Sequence, residues 1–367
     1  MSAEQSELSD ELQRVLQEFG ASLKPLSPEE GLQKFLLNEE TEVIPGTVQE
    51  YERKLEWFLD FCESNEIEDT TEFDGRVIQD FKIWRRDKAS TKDGQLSNKT
   101  LRDDMYLFRQ FLRFLESIDA VTPQLHRKVD IPSLDPEDGS RDIEFESEEL
   151  DRILSHLEQY QYATREHAVW IMFAATGRRP SGLRSLDLNH VHLDDDPHVE
   201  FHHTAGETRL KNGKKSENTV SLNTEAAQML QDYVDTSRHE LEDSERSPFL
   251  TSPQGRLTVS TMRKYIYKWS RPCSIGMECP EGRDPNGCEG MVNAGCASKC
   301  PYSKPPVALR HGYISDLRRQ GVSITVISER CDVSEEIIRE NYSELDESEK
   351  RELRRSELEK HSSDGYL

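Results

Sequence analysis

The most informative pattern in the chain is the junction at residues 176–183, which have the sequence TGRRPSGL. An apolar helical segment precedes Gly177, and glycine is the residue that most often terminates a helix. A new helix is predicted to begin near Arg179, so this arginine should lie on rigid backbone at the junction of two helices. An arginine held in this way can bind a phosphate through two parallel hydrogen bonds, which a lysine cannot do.

A basic turn follows further along the chain, in the segment 207–222 with the sequence ETRLKNGKKSENTVSL. Its Asn212-Gly213 pair is the strongest short signal for a β-hairpin, and it lies between two strand-like segments. Lys211 directly precedes the turn. The pattern predicts a hairpin that presents a lysine at its tip.

Two segments near the C-terminal end of the sequence add an arginine and a tyrosine. Residues 305–312 read PPVALRHG and place Arg310 near the start of a predicted helix. Residues 326–342 read VISERCDVSEEIIRENY and end in Tyr342. A tyrosine at a helix end is most often a packing residue, so its interest depends on the preceding segments.

Taken in order, these segments resemble the conserved boxes of the tyrosine recombinases of the phage-integrase type. Residues 176–191 are similar to TG-x-R-x-S-E-L followed by L-x-W-x-D-I, and residues 305–312 are similar to H-x-x-R-H. Residues 326–342 resemble L-G-H-S followed by the nucleophilic tyrosine, and the resemblance covers about residues 42–350. It implies these catalytic residues: Arg179, Lys211 (with Lys214 and Lys215 as alternatives), Arg310 and Tyr342.

The chain departs from the family pattern at three positions. Gly182 stands where the family has glutamate, and Val307 replaces the leading histidine of the second box. The histidine of the closing box is also missing, and Arg330 or Cys331 lies near its place. These departures leave open a catalytically weak or inactive DNA-binding protein on the same fold. A type IB topoisomerase-like enzyme, which shares the tyrosine chemistry, is a further alternative.

The helical periodicity predicts a mainly α fold with a small β-hairpin or sheet. Ser27 and Glu30 form a capping-box pattern at the start of a helix in the N-terminal arm. Proline, glycine and a dense acidic run mark a linker in the middle of the chain. The predicted domains are an acidic arm (1–41), a helical SAM-like core DNA-binding domain (42–132), a linker (133–151), an α+β catalytic domain (152–350, with a Cys-rich insert at 272–304) and a charged tail (351–367).

Basic residues are concentrated on the polar faces of the predicted helical domain. Arg85, Arg86, Lys99 and Arg102 are the predicted contacts to DNA. A basic cluster within a strongly acidic protein is more informative than one in a neutral protein, although a solvated surface is the simpler alternative. The resemblance implies double-stranded DNA as the partner, and a homo-oligomer (a tetramer) during strand exchange.

The overall charge opposes this interpretation at first sight. The chain has 71 acidic and 47 basic residues among 367, for a formal net charge of −24. A salt-rich cytoplasm explains such a surface, because many carboxylates keep a protein hydrated and soluble there. The composition and the altered boxes look most like haloarchaeal recombinases. No apolar run approaches the roughly 20 residues of a membrane-spanning helix, and we expect a cytoplasmic protein without membrane contact.

Five of the seven cysteines lie between Cys273 and Cys300. A structural zinc ion held by Cys279, Cys288, Cys296 and Cys300 is one hypothesis, with Cys273 as an alternative ligand. Their spacing is not that of a standard zinc ribbon, so a loop of reduced thiols is the alternative. The implied strand-exchange chemistry itself needs no metal and no other cofactor, because the phosphotyrosine bond retains the energy of the cleaved bond.

Overall fold

A computed structural model describes residues 23–88, 96–135, 143–241 and 246–341, together with Arg351 and Arg355. The chain divides into two compact units, residues 1–141 and 142–367, and the division falls within the predicted linker. The protein is mainly helical with a small antiparallel sheet, which confirms the predicted fold class. Within the described residues, no helix is both long enough and apolar enough to cross a membrane.

In the described part of the first unit, four helices pack around an aromatic core. Phe58 is completely buried, and its ring centroid lies 5.0 Å from that of Phe81 and 4.6 Å from that of Phe108. Such clusters bury large apolar areas, which is the main stabilising contribution in a small helical unit. The helices are α1 (Pro28–Glu39), α2 (Pro45–Ser64), α3 (Gly75–Asp87) and α4 (Asn98–Ser117).

Helix α1 belongs to this core. Its capping box is present as predicted, since Glu30 N donates to Ser27 Oγ and Ser27 N donates to Glu30 Oε2, both at 3.2 Å. Leu32 and Phe35 are buried against α4. Residues 28–39 are therefore an integral part of the helical unit, although the sequence suggested an arm that ends at residue 41.

The second unit packs helices around a central apolar helix, α6, whose Trp170 and Phe173 are buried. Its helices are α5 (Ser147–Tyr160), α6 (Arg165–Thr176), α7 (Pro180–Ser185), α8 (Thr224–Thr236), α9 (Val259–Trp269), α10 (Pro306–Arg319), α11 (Ile324–Cys331) and α12 (Glu335–Asn341). Its strands are β1 (Val191–His192), β2 (His198–Phe201), β3 (Asn218–Ser221), β4 (Thr251–Ser252) and β5 (Gly255–Arg256).

The antiparallel sheet β1-β2-β3 corrects the predicted hairpin. Strand β3 pairs with β2, so that Val199 lies opposite Val220 and Phe201 lies opposite Asn218. The Asn212-Gly213 turn does not join two strands directly. It lies inside a longer connection, residues 202–217, which ends in a 3₁₀ helix at Gly213–Ser216. The pairing with β2 places the apolar side of β3 on the core, and this non-local burial outweighs the local turn signal.

Candidate active site and DNA-binding surface

The junction between α6 and α7 has the geometry that its sequence predicts. Gly177 caps α6 with a φ of +59°, in the left-handed region that favours glycine. A Cβ at this position would lie 2.3 Å from Cδ1 of Tyr313, so the glycine is also required by packing. Arg179 has extended backbone angles and is the N-cap residue of α7. The junction therefore fixes the backbone from which two consecutive arginines project.

Arg179 is partly exposed and donates two hydrogen bonds to Asp332. Its Nη1 lies 2.8 Å from the carboxylate oxygen Oδ2 and 2.6 Å from the backbone carbonyl oxygen of that residue. Asp332 caps α11 in the left-handed conformation, with φ of 54°. The first predicted catalytic arginine is thus bound to an anion supplied by the chain itself.

Arg310, the second predicted catalytic arginine, is buried, with 7% of its surface exposed. It donates to the carbonyl oxygens of Gly177 at 2.9 Å and of Asp332 at 3.1 Å, and also to that of Cys331. These carbonyls lie at the C-terminal ends of α6 and α11, where the helix dipoles favour a cation. Arg310 therefore joins the ends of two helices beside Arg179.

Arg178 is a third arginine at this site, and the sequence argument did not assign it a role. It is 3% exposed, donates to Ser216 O at 3.1 Å and to Asn218 Oδ1, and lies over the ring of Phe201. Burial lowers the pKa of Arg178 to about 10, so the side chain stays charged at neutral pH. Its Nη1 lies 3.9 Å from Oδ2 of Asp332.

The carboxylate of Asp332 is the point on which these side chains converge. Oδ2 faces Arg179 and Arg178, while Oδ1 accepts hydrogen bonds from Ser216 Oγ at 2.8 Å and from Asn212 Nδ2 at 3.3 Å. Two guanidinium groups thus face the carboxylate, and a third, that of Arg310, binds the backbone carbonyl oxygen of the same residue. The position combines positive charge with directed donors, which are the two requirements for binding an oxyanion.

Asp332 also changes the interpretation of the closing box, where we expected Arg330 or Cys331 near the missing histidine. The Cys331 thiol is buried, and burial raises its pKa to about 11. Arg330 donates to Tyr313 Oη and to the carbonyl oxygens of Ala175 and Ser221, so it braces α11 against α6 and β3. The side chain that reaches the arginines is that of the next residue, Asp332.

The predicted general acid, Lys211, is exposed at the start of the basic turn. It has no hydrogen bond or ion pair with the residues that the structure describes, whereas its neighbour Asn212 contacts Asp332. Lys215, one of the alternatives, lines an open cleft of about 630 Å³ together with Arg178 and Asp332. The turn thus lies beside the arginines, and its lysine nearest the cleft is Lys215.

Tyr342, the predicted nucleophile, lies outside the described residues, and α12 is the last helix before it along the chain. Residues Val333 and Ile338 of this region pack with Ile314 and Ile327 in a small apolar cluster. This cluster fixes α10, α11 and α12 relative to one another. The backbone of Asp332 is consequently held from both sides.

In the first unit, the four predicted DNA contacts have different environments. Arg85 is 6% exposed, forms an ion pair with the buried Asp104 at 2.9 Å and lies over the ring of Trp57. It is a core side chain in this structure, which argues against a phosphate contact. Arg86 is exposed and pairs with Asp87, at 2.9 Å.

Helix α4 carries the other two predicted contacts on a continuous polar stripe, opposite its buried face. The residues follow one another at intervals of three or four, so they lie on one side of the helix. Tyr106 lies in the middle of this stripe and is 46% exposed. The guanidinium carbons of Arg102 and Arg109 lie 5.5 and 5.7 Å from the centroid of its ring. We call this surface the α4 stripe; it comprises Lys99, Arg102, Tyr106, Arg109 and Arg113.

The cysteine-rich insert folds into short 3₁₀ turns between α9 and α10. Cys300 is buried, and Cys273 Sγ lies 3.5 Å from Met291 Sδ. Within the described parts of the chain, no three of the cysteine sulfurs lie within 4.8 Å of one another. This arrangement does not fit a closed zinc site at Cys279, Cys288, Cys296 and Cys300, and zinc at the insert stays a prediction.

Comparisons with known proteins agree with the fold. The phage integrase family matches residues 144–281, and the phage integrase N-terminal SAM-like domain matches residues 32–118. The first match includes Arg179 and the basic turn and ends before Arg310. No curated protein matches the sequence significantly.

Solved structures show the same fold at low sequence identity. One is the Tn1549 transposon integrase in complex with a circular intermediate DNA, with a TM-score of 0.64 and 12% identity over 92% of this chain and 100% of that chain. Another is a lambda integrase dimer bound to a COC′ core site, with a TM-score of 0.58 and 10% identity over 96% of this chain and 83% of that chain.

A helical unit followed by an α+β unit with converging arginines defines a DNA strand-exchange enzyme of the tyrosine recombinase class. The two family matches together span more than half of the sequence. The chain belongs to the phage integrase family.

Proposed function

We propose that this chain is a site-specific DNA recombinase in which Tyr342 attacks a backbone phosphate in line. The tyrosine oxygen forms a bond to phosphorus, and the bond from phosphorus to the 5′ oxygen breaks. The products are a 3′-phosphotyrosyl enzyme and a free 5′-hydroxyl, and the reverse reaction with another 5′-hydroxyl rejoins the strand. No external energy source is needed, because each step exchanges one phosphodiester for another.

The convergence of Arg178, Arg179 and Arg310 around Asp332 is the observation that carries this proposal. Negative charge accumulates on the non-bridging phosphate oxygens during the transfer, and rigidly held donors stabilise the transition state most effectively. Arg179 is the most accessible of the three, so it is the proposed direct phosphate ligand. Arg310 holds the helix ends together and adds positive charge from the buried side.

A lysine of the basic turn is the proposed general acid that protonates the leaving 5′ oxygen. General acid catalysis typically contributes about 10²–10⁴-fold. Lys211 is the lysine that the family resemblance favours, and Lys215 is the lysine that lines the cleft. The two lysines can be distinguished with a DNA substrate whose leaving group needs no proton.

The experiment compares Lys211→Ala and Lys215→Ala on DNA with sulfur in place of the bridging 5′ oxygen. A thiolate leaves without protonation, so the variant that lacks the acid should cleave normal DNA slowly and the sulfur-substituted DNA at the wild-type rate. Lys214→Ala tests the remaining candidate of the turn, and Lys264→Ala, at an exposed lysine of α9, is the control. If no variant is rescued by sulfur, the general acid does not lie in this turn.

The activity itself is tested by a covalent trap in molar KCl. The protein is incubated with nicked or gapped DNA and denatured, and the DNA that stays attached is sequenced. Adducts at a few discrete sites, lost in Tyr342→Phe and retained in the exposed-tyrosine control Tyr302→Phe, are the expected result. Adducts without sequence preference would identify a topoisomerase instead.

A recombinase-like protein without cleavage activity is the second candidate, and one contact favours it. The carboxylate of Asp332 occupies the centre of the arginine cluster, and Val307 supplies no donor there. Specific DNA binding with no adduct from either the wild type or Asp332→Asn would support this candidate. Adducts from Asp332→Asn alone would show that the carboxylate blocks the site.

Double-stranded DNA is the proposed partner, with the α4 stripe as one contact surface and a tetramer as the assembly that exchanges strands. The basic residues of the stripe can bind phosphates, and the exposed Tyr106 holds Arg102 and Arg109 in place. Light scattering of the protein alone and with a two-site substrate tests the assembly. A protein that is monomeric both alone and in the presence of the two-site substrate would contradict the tetramer.

A further inference from the structure

The solvent side of the β1-β2 pair gathers imidazoles around one carboxylate. Val199 and Phe201 of β2 are buried, so the alternate residues His198 and Glu200 point away from the core. His192 of β1 lies directly opposite His198 in the ladder and therefore on the same face. The sheet register thus brings residues from two strands to one spot on the surface.

The distances between these side chains suit a common bound cation. The ligand atoms of His192, His198 and Glu200 all lie within 4.8 Å of one another. From Oε1 of Glu200, the Nε2 atoms are 3.6 Å away in His192 and 4.0 Å away in His198. Two ligands of a tetrahedral zinc ion lie about 3.3 Å apart, given zinc–ligand distances of about 2.0–2.1 Å.

The hydrogen bonds of His198 determine which of its nitrogens faces the carboxylate as an acceptor. Its Nδ1 lies 2.6 Å from the backbone carbonyl oxygen of Asp196, which can only accept, so Nδ1 carries the proton. In the neutral ring, Nε2 then presents a lone pair toward Oε1 of Glu200. Two acceptors that face each other are stabilised by a positive charge between them, supplied by a proton or by a metal ion.

His202 holds the other side of the carboxylate. Its Nε2 lies 3.0 Å from Oε2 of Glu200, and this contact orients the carboxylate while it leaves Oε1 directed at the other two imidazoles. Metal sites in proteins commonly use such outer hydrogen bonds to fix the ligand orientation. The four residues therefore supply three candidate ligands and one supporting partner.

We propose that His192, His198 and Glu200 bind one divalent transition-metal ion of the zinc type. Imidazole nitrogens select this class of ion over Mg²⁺ and Ca²⁺, which prefer oxygen ligands. The ion links β1 to β2, immediately before the connection that carries the basic turn. It is a site on the sheet surface, apart from the arginine cluster and from the cysteine insert, and it does not depend on the recombinase activity.

Metal titration of untagged, chelator-treated protein in molar KCl with excess Mg²⁺ tests the proposal. The salt and the Mg²⁺ suppress weak binding to the many surface carboxylates. Zn²⁺ should bind saturably with one ion per chain, and Co²⁺ should give a visible ligand-field spectrum without thiolate-to-cobalt charge transfer. His192→Ala and His198→Ala should each weaken Zn²⁺ binding at least about 10-fold, the lower range for loss of a supporting residue.

The matched control is His239→Ala, which removes an exposed histidine elsewhere in the same unit and should leave Zn²⁺ binding unchanged. Glu200→Gln keeps the side-chain shape but removes the charge, so it tests the site even if an alanine variant folds poorly. Binding that survives all three site variants overturns the proposal, as does the lack of saturable binding. A thiolate spectrum that disappears in Cys288→Ser or Cys300→Ser would locate the metal in the insert instead.

Discussion

At the scale of single residues, the two adjacent arginines of the α6–α7 junction have different tasks. Arg179 is partly exposed and bound to a carboxylate that a phosphate can replace. Arg178 is buried and bound to the chain at Ser216 and Asn218. The first is the proposed phosphate ligand, and the second holds β3 and the basic turn against the junction.

Substitution of each by lysine should separate these tasks. Arg179→Lys should lower the rate of adduct formation about 10²-fold, because lysine cannot form the paired hydrogen bonds, and should leave the unfolding transition nearly unchanged. Arg178→Lys should reduce the free energy of unfolding by about 1–3 kcal/mol, since buried acceptors lose their donors. Adduct kinetics and urea unfolding measure the two effects. A large loss of stability in Arg179→Lys together with a large loss of rate in Arg178→Lys would contradict these roles.

His167 makes the folded protein sensitive to acid. The side chain is 2% exposed, and burial lowers its pKa to about 4, against about 6.5 in an unfolded chain. Between these values the unfolded state binds the proton and the folded state does not. The stability of the fold should therefore decrease as the pH falls from about 6.5 to 4, by at most ~3 kcal/mol from this residue.

Urea unfolding of the wild type and of His167→Gln across this pH range measures the contribution. The variant should be less stable near pH 7, where the packing of the imidazole is lost, yet it should show a shallower decrease toward acid. His239→Gln, at an exposed position, is the control. An unchanged slope in His167→Gln would mean that other groups cause the acid sensitivity.

At the scale of elements, α4 combines a buried face with the exposed α4 stripe. Each lysine or arginine that contacts a phosphate steepens the dependence of log binding constant on log salt concentration by about one. Lys99→Gln and Arg113→Gln should each weaken DNA binding and reduce this slope by about one. Tyr106→Ala should weaken binding with little change in slope, because it removes support for Arg102 but no charge.

Arg53→Gln is the control for these variants, since Arg53 is an exposed arginine on α2 that pairs with Glu50. Fluorescence anisotropy over a series of KCl concentrations gives both the affinity and the slope. Equal slopes in all variants would show that the α4 stripe does not contact phosphate.

The elements also show how far the sequence alone could be interpreted. The α6–α7 junction was predictable because glycine at a helix end is a local backbone requirement. The antiparallel pair of strands was predicted, but its turn was not, because β3 pairs with β2 across a long connection while the Asn212-Gly213 signal is local. The burial of Arg85 follows from an acid on a different helix, Asp104, and no periodicity along α3 reveals that pairing.

The candidate site was predictable only in part, because contacts between residues that are distant in the sequence leave no local pattern. Arg179 and Arg310 stand at positions that a family pattern marks. The role of Asp332 depends on contacts with α7, α10 and the basic turn, which lie far from it along the sequence. A left-handed aspartate at a helix end has no sequence signature that distinguishes it from an ordinary cap.

At the scale of the whole molecule, the net charge of −24 predicts a stability that depends on salt concentration. Repulsion among surface carboxylates opposes the compact state and is screened by salt. The melting temperature should therefore rise with KCl from millimolar to molar concentration, and specific DNA binding should persist in molar KCl. A constant melting temperature, or DNA binding confined to dilute buffer, would contradict the hypothesis that the acidic surface is an adaptation to high salt.

A parallel series with the uncharged osmolyte betaine is the control for this measurement, because osmolytes stabilise folded proteins without screening charge. The expected result is a larger rise in KCl than in betaine. Equal rises would attribute the stabilisation to exclusion of solute from the surface.

The carboxylate of Asp332 has a consequence for how the arginine cluster meets its substrate. A DNA phosphate that reaches Arg179 must displace an anion attached to the same chain, and the effective concentration of this tethered competitor does not fall on dilution. Affinity for an isolated phosphate should therefore be low. A phosphate of DNA that is already bound at other surfaces has a high local concentration and can displace the carboxylate. Competition by Asp332 should therefore select against free phosphate and other small anions.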